Sequence, residues 1–186
     1  MLRGKSGSGK TSVLKTLMGL HLISGGTVYF QEQALSPASV RSIRGHAAYI
    51  GQDPILGADT VREALLLPFK FRAHRQQRPV EAQLLEVLQR LKLPVQILDR
   101  ECSRISGGEK QRIAVARGLL LAKSVYLLDE VTSALDPESK QAVFAVFDDP
   151  RLTVLSVAHD PEWQERCTTV LEMEAGQLTE VKNGNA

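Results

Sequence analysis

Near its start the chain runs Gly4-Lys5-Ser6-Gly7-Ser8-Gly9-Lys10-Thr11, the spacing G-x-x-x-x-G-K-[ST]. Few short runs constrain a chain as tightly. Every position answers one demand: several negative charges must be held without leaving one buried and unpaired. Gly4, Gly7 and Gly9 let the backbone curl until successive N–H groups point inward, at the β- and γ-phosphates of a nucleoside triphosphate. Gly9 opens a helix whose free N–H groups and dipole add partial positive charge at the same point. Lys10 supplies a mobile full charge, and Thr11 a hydroxyl of the hard-oxygen kind that Mg²⁺ prefers.

Beyond this loop, apolar residues Val13, Leu14, Leu17 and Met18 recur at helical steps and predict a helix over 11–20. Residues 27–30 and 47–50 are β-branched, aromatic or apolar runs and read as strands, the second ending in the loop Gly51-Gln52-Asp53-Pro54. Between them a polar connection containing Pro37 leads to 41–45. Thr60 and Glu63 form a capping box that opens a short helix stopping before Pro68. Pro79 starts another helix, with Leu84, Leu85, Leu88 and Leu91 facing inward. The remainder alternates: helix 106–121, strand 124–128, helix 137–147, strand 152–157, short helix 161–166, strand 168–172, and a frayed tail over 181–186. Such alternation makes the chain α/β, a mainly parallel sheet flanked by helices.

At 186 residues the chain suits one domain, or a domain with a subdomain. A net charge of +2 exerts no global pull toward nucleic acid or an anionic surface. The local exception is Lys70, Arg72, His74, Arg75 and Arg78 with Phe69 and Phe71 interleaved. It reads as a solvated loop or a patch for a protein partner ahead of a nucleic-acid strip. Cys102 and Cys167 stand in no metal or redox spacing and are expected to be reduced and structural, as in a cytosolic protein. Apolar stretches such as 64–67 and 119–122 are too short to cross a bilayer. With the phosphate loop at the start no signal peptide is expected, so another chain must supply any membrane part.

Two further segments carry chemistry. Residues 125–128 are apolar and lead into Asp129-Glu130. In an α/β sheet, ligands sit at the carboxyl ends of strands, so both acids can face the phosphates held by the glycine loop. Asp129 is placed to hold Mg²⁺ and Glu130 to polarise the water that attacks the γ-phosphate. Ser106-Gly107-Gly108-Glu109 is a second capping box with bare backbone at a helix start, hence another phosphate site. One triphosphate does not need two helix N-termini from distant parts of one chain, which suggests that two copies sandwich the nucleotide.

Ile105-Ser106-Gly107-Gly108-Glu109-Lys110-Gln111-Arg112 resembles the signature sequence of ATP-binding cassette (ABC) ATPases. The other motifs follow in family order: Gln52 resembles the Q-loop glutamine, Ser133-Ala134-Leu135-Asp136 the D-loop, and His159 the switch histidine. The resemblance covers nearly the whole chain. It implies a P-loop NTPase fold with a nucleotide-binding core (1–51 and 122–186) and a small helical subdomain (about 52–121) ending in the signature helix. It implies ATP on Gly4, Lys5, Ser6, Gly7, Ser8, Gly9, Lys10, Thr11 and Ser12, with Mg²⁺ on Thr11, Gln52 and Asp129. Glu130, His159 and Gln52 would be catalytic. Ser106, Gly107, Gly108 and Glu109 would act in trans in a homodimer closed on ATP, and Asp136 would report one site to its twin. An integral membrane permease would be the other partner, with the chain peripheral on the cytoplasmic face of the membrane.

The signature departs from the usual pattern at Ile105 and Glu109, the latter a substitution that keeps the capping geometry. Only Met1-Leu2-Arg3 precede Gly4, where family members carry antiparallel strands and an aromatic residue that stacks on adenine. The N-terminal antiparallel strands are therefore expected to be missing and the strand at 27–30 left as an exposed edge. Weak ATP binding and aggregation follow as expectations. Asp59-Thr60-Val61 and Leu67-Pro68-Phe69 look like small bacterial export cassettes of the iron-efflux type. The alternatives are a catalytically silent truncated cassette and a non-transport ABC ATPase acting on nucleic acid or ribosomes.

Overall fold

The structure, a computed structural model, describes residues 1–183, with side chains through Thr179. In chain order its main elements are β1 (Leu2–Arg3), α1 (Lys10–Leu17), β2 (Tyr29–Phe30), β3 (Gln33–Ala34), α2 (Val40–His46), β4 (Ala47–Ile50), α3 (Val61–Leu66), α4 (Glu81–Arg90), α5 (Gly107–Leu120), β5 (Val125–Asp129), α6 (Pro137–Phe147), β6 (Thr153–Val157), α7 (Pro161–Glu165), β7 (Thr169–Glu174) and β8 (Gln177–Asn183). They fall into two compact units. The first comprises residues 1–49, 123–130 and 151–186, the second 50–122 and 131–150.

The first unit is built on a six-stranded sheet in the order β4-β5-β6-β1-β7-β8. β5 runs parallel to β6 from Val125↔Thr153 to Asp129↔Val157. β1 pairs in parallel with β6 on one side and β7 on the other, Leu2 lying opposite both Val157 and Leu171. A strand of two residues is stable here because it is held on both sides. The Met1 amine donates to the Thr169 carbonyl at 2.7 Å, and the Met1 carbonyl accepts from the Leu171 N–H at 2.8 Å. Leu2, Leu14, Leu127, Val157 and Met173 form the buried centre, against which Val13, Leu17, Tyr49 and Leu155 pack. The apolar stripe expected on α1 therefore seats the helix over the strands that flank the glycine loop.

Three expectations for this unit are corrected. The strand foreseen at 27–30 narrows to Tyr29–Phe30 and pairs on one side only, in a two-stranded antiparallel ribbon with β3, Tyr29 opposite Ala34, so that it remains an edge, as expected, but a ribboned one. Gln31 and Glu32 turn that ribbon in left-handed conformations, φ 47° and 66°, the geometry of a tight hairpin. The stretch 41–45, to which the polar connection leads and for which no helix is expected, is helical, within α2. Of the tail expected to fray, 181–183 belong to β8, antiparallel to β7 with Leu171 opposite Val181; residues 184–186 lie outside the described residues.

The second unit is helical. Thr60 caps α3 with the expected box, its hydroxyl accepting from the Glu63 N–H while the Glu63 carboxylate accepts from the Thr60 N–H. On α4 the buried face is Leu84, Val87 and Leu88, continued by Leu91, so Val87 rather than Leu85 completes the stripe. Steps of three, four and seven from Leu84 lead to those positions, and Leu85 falls off the face. The long helix α5 packs on α3, α4 and α6. Its side chains tie down the chain after β4: Gln111 donates to the Gly51 carbonyl at 3.2 Å, and Arg117 to the Leu56 and Ile55 carbonyls at 2.8 and 2.9 Å. Residues 131–150, with α6 packed on α5, group with the helical unit.

Candidate active site

Strand β1 delivers the chain to the glycine loop, and the loop's shape depends on missing side chains. A Cβ on Gly4 would lie 2.1 Å from the Met173 carbonyl oxygen, inside any real contact. Gly7 and Gly9 are left-handed, φ 80° and 100°, which L side chains rarely adopt. Gly9 is the N-cap of α1 and no side chain caps that end, so the first-turn N–H groups open onto the loop.

Lys10 lies inside the loop, only 6% exposed. Its Nζ donates to the Gly4 carbonyl at 2.7 Å and the Lys5 carbonyl at 2.9 Å, with Ser8 Oγ at 3.5 Å. Among the described residues no carboxylate pairs with it. A buried ammonium held only by carbonyl dipoles is an incompletely compensated charge, and the anion that would compensate it fits a curl of backbone N–H groups. The loop itself is pinned by Ser8, whose N–H donates to the Lys5 carbonyl at 3.2 Å and whose own carbonyl accepts from the Gly176 N–H at 3.1 Å. Lys5, Ser6 and Gly7 remain exposed at the rim, and Ser12 is exposed on α1.

Asp129, at the end of β5, is 2% exposed. Two hydroxyls satisfy it: Thr11 Oγ1 donates to Oδ1 at 3.1 Å and Tyr49 Oη donates to Oδ2 at 3.0 Å. Burial, reinforced by the Asp129 charge, pushes the Tyr49 phenol far above the usual tyrosine range, so it stays a donor. Glu130 follows in a left-handed conformation, φ 51°, and its N–H donates to the Val157 carbonyl at 2.8 Å. This turn ends β5 while keeping Glu130 tied to β6. His159, just beyond β6, brings Nε2 to 3.6 Å from Glu130 Oε1, within ion-pair reach but too long for a hydrogen bond.

The first unit thus holds Gly4 to Ser12, Asp129, Glu130 and His159 of the residues named from the sequence. Tyr49 was missed as a site residue: the pattern shows it as one apolar position of a strand, and only its place three residues before Gln52 at a strand end hinted at more. The other candidates belong to the second unit. Gln52 is exposed. Ser106 caps α5, its Oγ accepting from the Glu109 N–H at 3.2 Å and Glu109 Oε2 accepting from the Ser106 N–H at 2.7 Å. That backbone N–H, with the Ser106 hydroxyl and Arg100 helping, holds the Glu109 carboxyl below its ordinary range. A Cβ on Gly107 would meet nothing within 4 Å, while one on Gly108 would sit 3.3 Å from the Ala134 carbonyl. Bare backbone at this helix start is thus partly a packing requirement. Asp136 caps α6, its two oxygens accepting from the Ser139 N–H at 2.9 Å and the Ser139 Oγ at 2.6 Å.

A glycine loop closed on a buried lysine, with an Asp-Glu pair at the end of β5, two strands away in the same sheet, defines a P-loop nucleoside triphosphatase. Residues 1–133 match the family model described as ABC transporter. The chain is 34% identical to the probable iron export ATP-binding protein FetA of Escherichia coli (strain K12), over 98% of this chain and 82% of that one. It is 33% identical to the energy-coupling factor transporter ATP-binding protein EcfA1 of Enterococcus faecalis, over 95% of this chain and 64% of that one. It matches the ATP-dependent lipid A-core flippase of Bordetella pertussis at 33% identity over 96% of this chain but only 30% of that protein. In fold it is similar to a dimeric ATP-binding cassette solved in a post-hydrolysis state with ADP and Pi, with a TM-score of 0.85 and 24% identity over 100% of this chain and 84% of that one. The chain belongs to the ABC transporter family. It is an ATP-binding cassette, an ATPase of the kind that drives transport.

Proposed function

We propose that this chain hydrolyses Mg·ATP between two copies of itself and passes the resulting motion to a separate integral membrane permease on the cytoplasmic face of the membrane. The observation that supports the site most directly is Lys10, buried to 6% exposure with carbonyls for partners. ATP gives that charge its counter-ion, and Lys10 exchanges the Gly4 and Lys5 carbonyls for phosphate oxygens. Gly7, Gly9 and the first turn of α1 supply N–H donors.

The donor set suits Mg²⁺: the Thr11 hydroxyl and the Asp129 carboxylate are hard oxygens already 3.1 Å apart. Thr11 and Asp129 would hold the ion, with the Gln52 amide oxygen assigned to the same shell by its motif. When bound, Mg²⁺ neutralises phosphate charge and so lowers the cost of the charge that builds up as the γ-phosphate leaves. Glu130 orients the attacking water and accepts its proton. His159, 3.6 Å away, holds the Glu130 carboxylate and donates toward the γ-phosphate. The capped N-terminus of α5 offers Ser106, Gly107 and Gly108 to the nucleotide of the opposite copy, while Glu109 fixes that helix end. Asp136, both oxygens on its own helix cap, acts through the position of α6.

Among the described residues no helix is long and apolar enough to cross a membrane. The likeness to FetA supports export of a metal ion as the class of transport, the cargo being chosen by the permease. The test is steady-state ATP hydrolysis by the purified chain beside Glu130→Gln, with nucleotide binding measured on both. Hydrolysis by the parent, and a variant that binds ATP but turns over at least 100-fold more slowly (~10²–10⁴ for a general base), is the expected outcome. Equal rates in the two would overturn the assignment of Glu130.

A further inference from the structure

Between Glu63 and Glu81 the chain has no acidic residue but carries Lys70, Arg72, Arg75 and Arg78. Against a whole-chain net charge of +2, these four cations leave the rest of the chain at −2, so the positive charge is concentrated in this one stretch. The flanking acids do not neutralise it. Glu63 is engaged in the α3 capping box, and Glu81 Oε2 accepts from Arg62 Nη1 at 2.6 Å. None of the four cations forms an ion pair among the described residues.

The stretch is also shaped. Successive tight turns are closed by Phe71 N–H to the Pro68 carbonyl at 3.2 Å, His74 N–H to the Phe71 carbonyl at 3.1 Å, and Gln77 N–H to the His74 carbonyl at 2.9 Å. Phe69, 4% exposed, anchors these turns in the helical unit, while Phe71, 63% exposed, points outward between the cations. Lys70, Arg75 and Arg78 rim a hollow of about 350 Å³ floored by Leu66 and Phe69. Three cations around an apolar floor suit a group with an anionic head and an apolar continuation. An exposed phenyl ring beside them is the complement of an acyl boundary.

From this we infer that residues 69–78 form a foot that docks on anionic lipid, Lys70, Arg75 and Arg78 taking a phosphate headgroup and Phe71 entering the interface. The inference rests on the proposed place of the chain beside a membrane permease and names a second contact there, with the bilayer itself. Lipid is favoured over an acidic protein segment because Phe71, 63% exposed, stands within the basic stretch, and a peptide carboxylate paired with the cations would leave that ring in water. Each Lys or Arg near an anionic surface contributes roughly fivefold to partitioning, so removing three costs on the order of 100-fold.

The experiment is co-sedimentation of the full chain with vesicles of equal parts phosphatidylglycerol and phosphatidylcholine, and with vesicles of phosphatidylcholine alone. The comparison variant is Lys70→Gln/Arg75→Gln/Arg78→Gln, with Phe71→Ser as a second that leaves the charge intact. Helical circular dichroism verifies folding, and ATP turnover is measured on every sample. Binding to the anionic vesicles only, weakened on the order of 100-fold in the triple variant, several-fold in Phe71→Ser and by high salt, is expected, with turnover unchanged. Equal binding to both vesicle types, undiminished binding by the triple variant, or capture by polyglutamate or duplex DNA without vesicle binding would overturn the inference. A chain that binds vesicles but hydrolyses no ATP would instead sink the proposed function and leave the foot standing.

Discussion

Replacing Tyr49 by Phe removes one oxygen atom and leaves the ring packed against Leu127 and its neighbours in the core. What disappears is the donor to Asp129 Oδ2 at 3.0 Å, on a carboxylate 2% exposed whose other hydrogen-bond partner is Thr11. A hydrogen bond to a charged group nets about 1.5–3 kcal/mol, and a buried acceptor left short of a donor adds desolvation cost. At about 2–4 °C per kcal/mol for a chain of this size, the melting temperature should fall by roughly 3–12 °C. Function should suffer in a specific way. Asp129 loses one of the two groups that hold its plane, so half-maximal activity should need several-fold more Mg²⁺ while the ATP requirement at saturating Mg²⁺ changes little. Alkaline stability gives an independent sign. The Tyr49 phenol titrates well above its ordinary value of 10.0 in the fold, so the folded state keeps a proton that the unfolded state releases. Its stabilising contribution is complete below pH ~10 and is lost as pH rises through the folded value. The variant should show a shallower alkaline loss. Differential scanning calorimetry across pH, together with a Mg²⁺ titration of turnover, measures all three. An unchanged melting temperature with unchanged Mg²⁺ dependence would refute the reasoning.

Lys10→Met should abolish ATP binding yet leave the nucleotide-free chain as stable or more stable, by about 1 kcal/mol or more, since it removes a buried charge paired only with carbonyls; a lower melting temperature than the parent without nucleotide would contradict this. Ser106→Ala should cost about 0.5–2 kcal/mol through loss of the cap, read by chemical denaturation. The Glu109 carboxyl is held below its ordinary range chiefly by the Ser106 backbone N–H, so its contribution is present above the unfolded value of 4.5 and is lost as pH falls through the folded one; Ser106→Ala keeps that N–H and removes only the hydroxyl, so the acid sensitivity should shrink in part and not vanish. Gly4→Ala should yield insoluble or nucleotide-blind protein, because the added Cβ falls 2.1 Å from the Met173 carbonyl oxygen; soluble protein with parental ATP affinity would show that the loop can shift.

Much of the site could be read along the chain because its logic is local. The glycine loop needs its glycines within a few residues of Lys10, and the capping boxes at Thr60 and Ser106 need their Glu three positions on. Short-range geometry of this kind survives in any fold that makes the helix. The end of β5 was legible for a related reason: an apolar run followed by two acids changes character where a strand leaves the core. Leu85 shows the limit of local reading, since four leucines at helical spacing leave the face undecided until a neighbour packs against one side.

Contacts between distant residues were decided by the tertiary structure alone. Two residues, Leu2–Arg3, are too few to announce a strand by their own pattern, yet β6 and β7 hold them as an inner strand of the sheet. Nothing between 27 and 35 announces that Tyr29 pairs with Ala34 through a left-handed turn without glycine. The pairing of β8 with β7, and with it the order of six strands, rests on ladder hydrogen bonds that carry no signature in the side chains. Tyr49 lies eighty positions from Asp129, and Asp136 spends both oxygens on Ser139. The sequence by itself determined which groups are present to meet a triphosphate. Which of them share a hydrogen bond depends on strand order and helix packing, because burial sums many weak contacts across the whole chain while capping and loop curvature are settled within one turn.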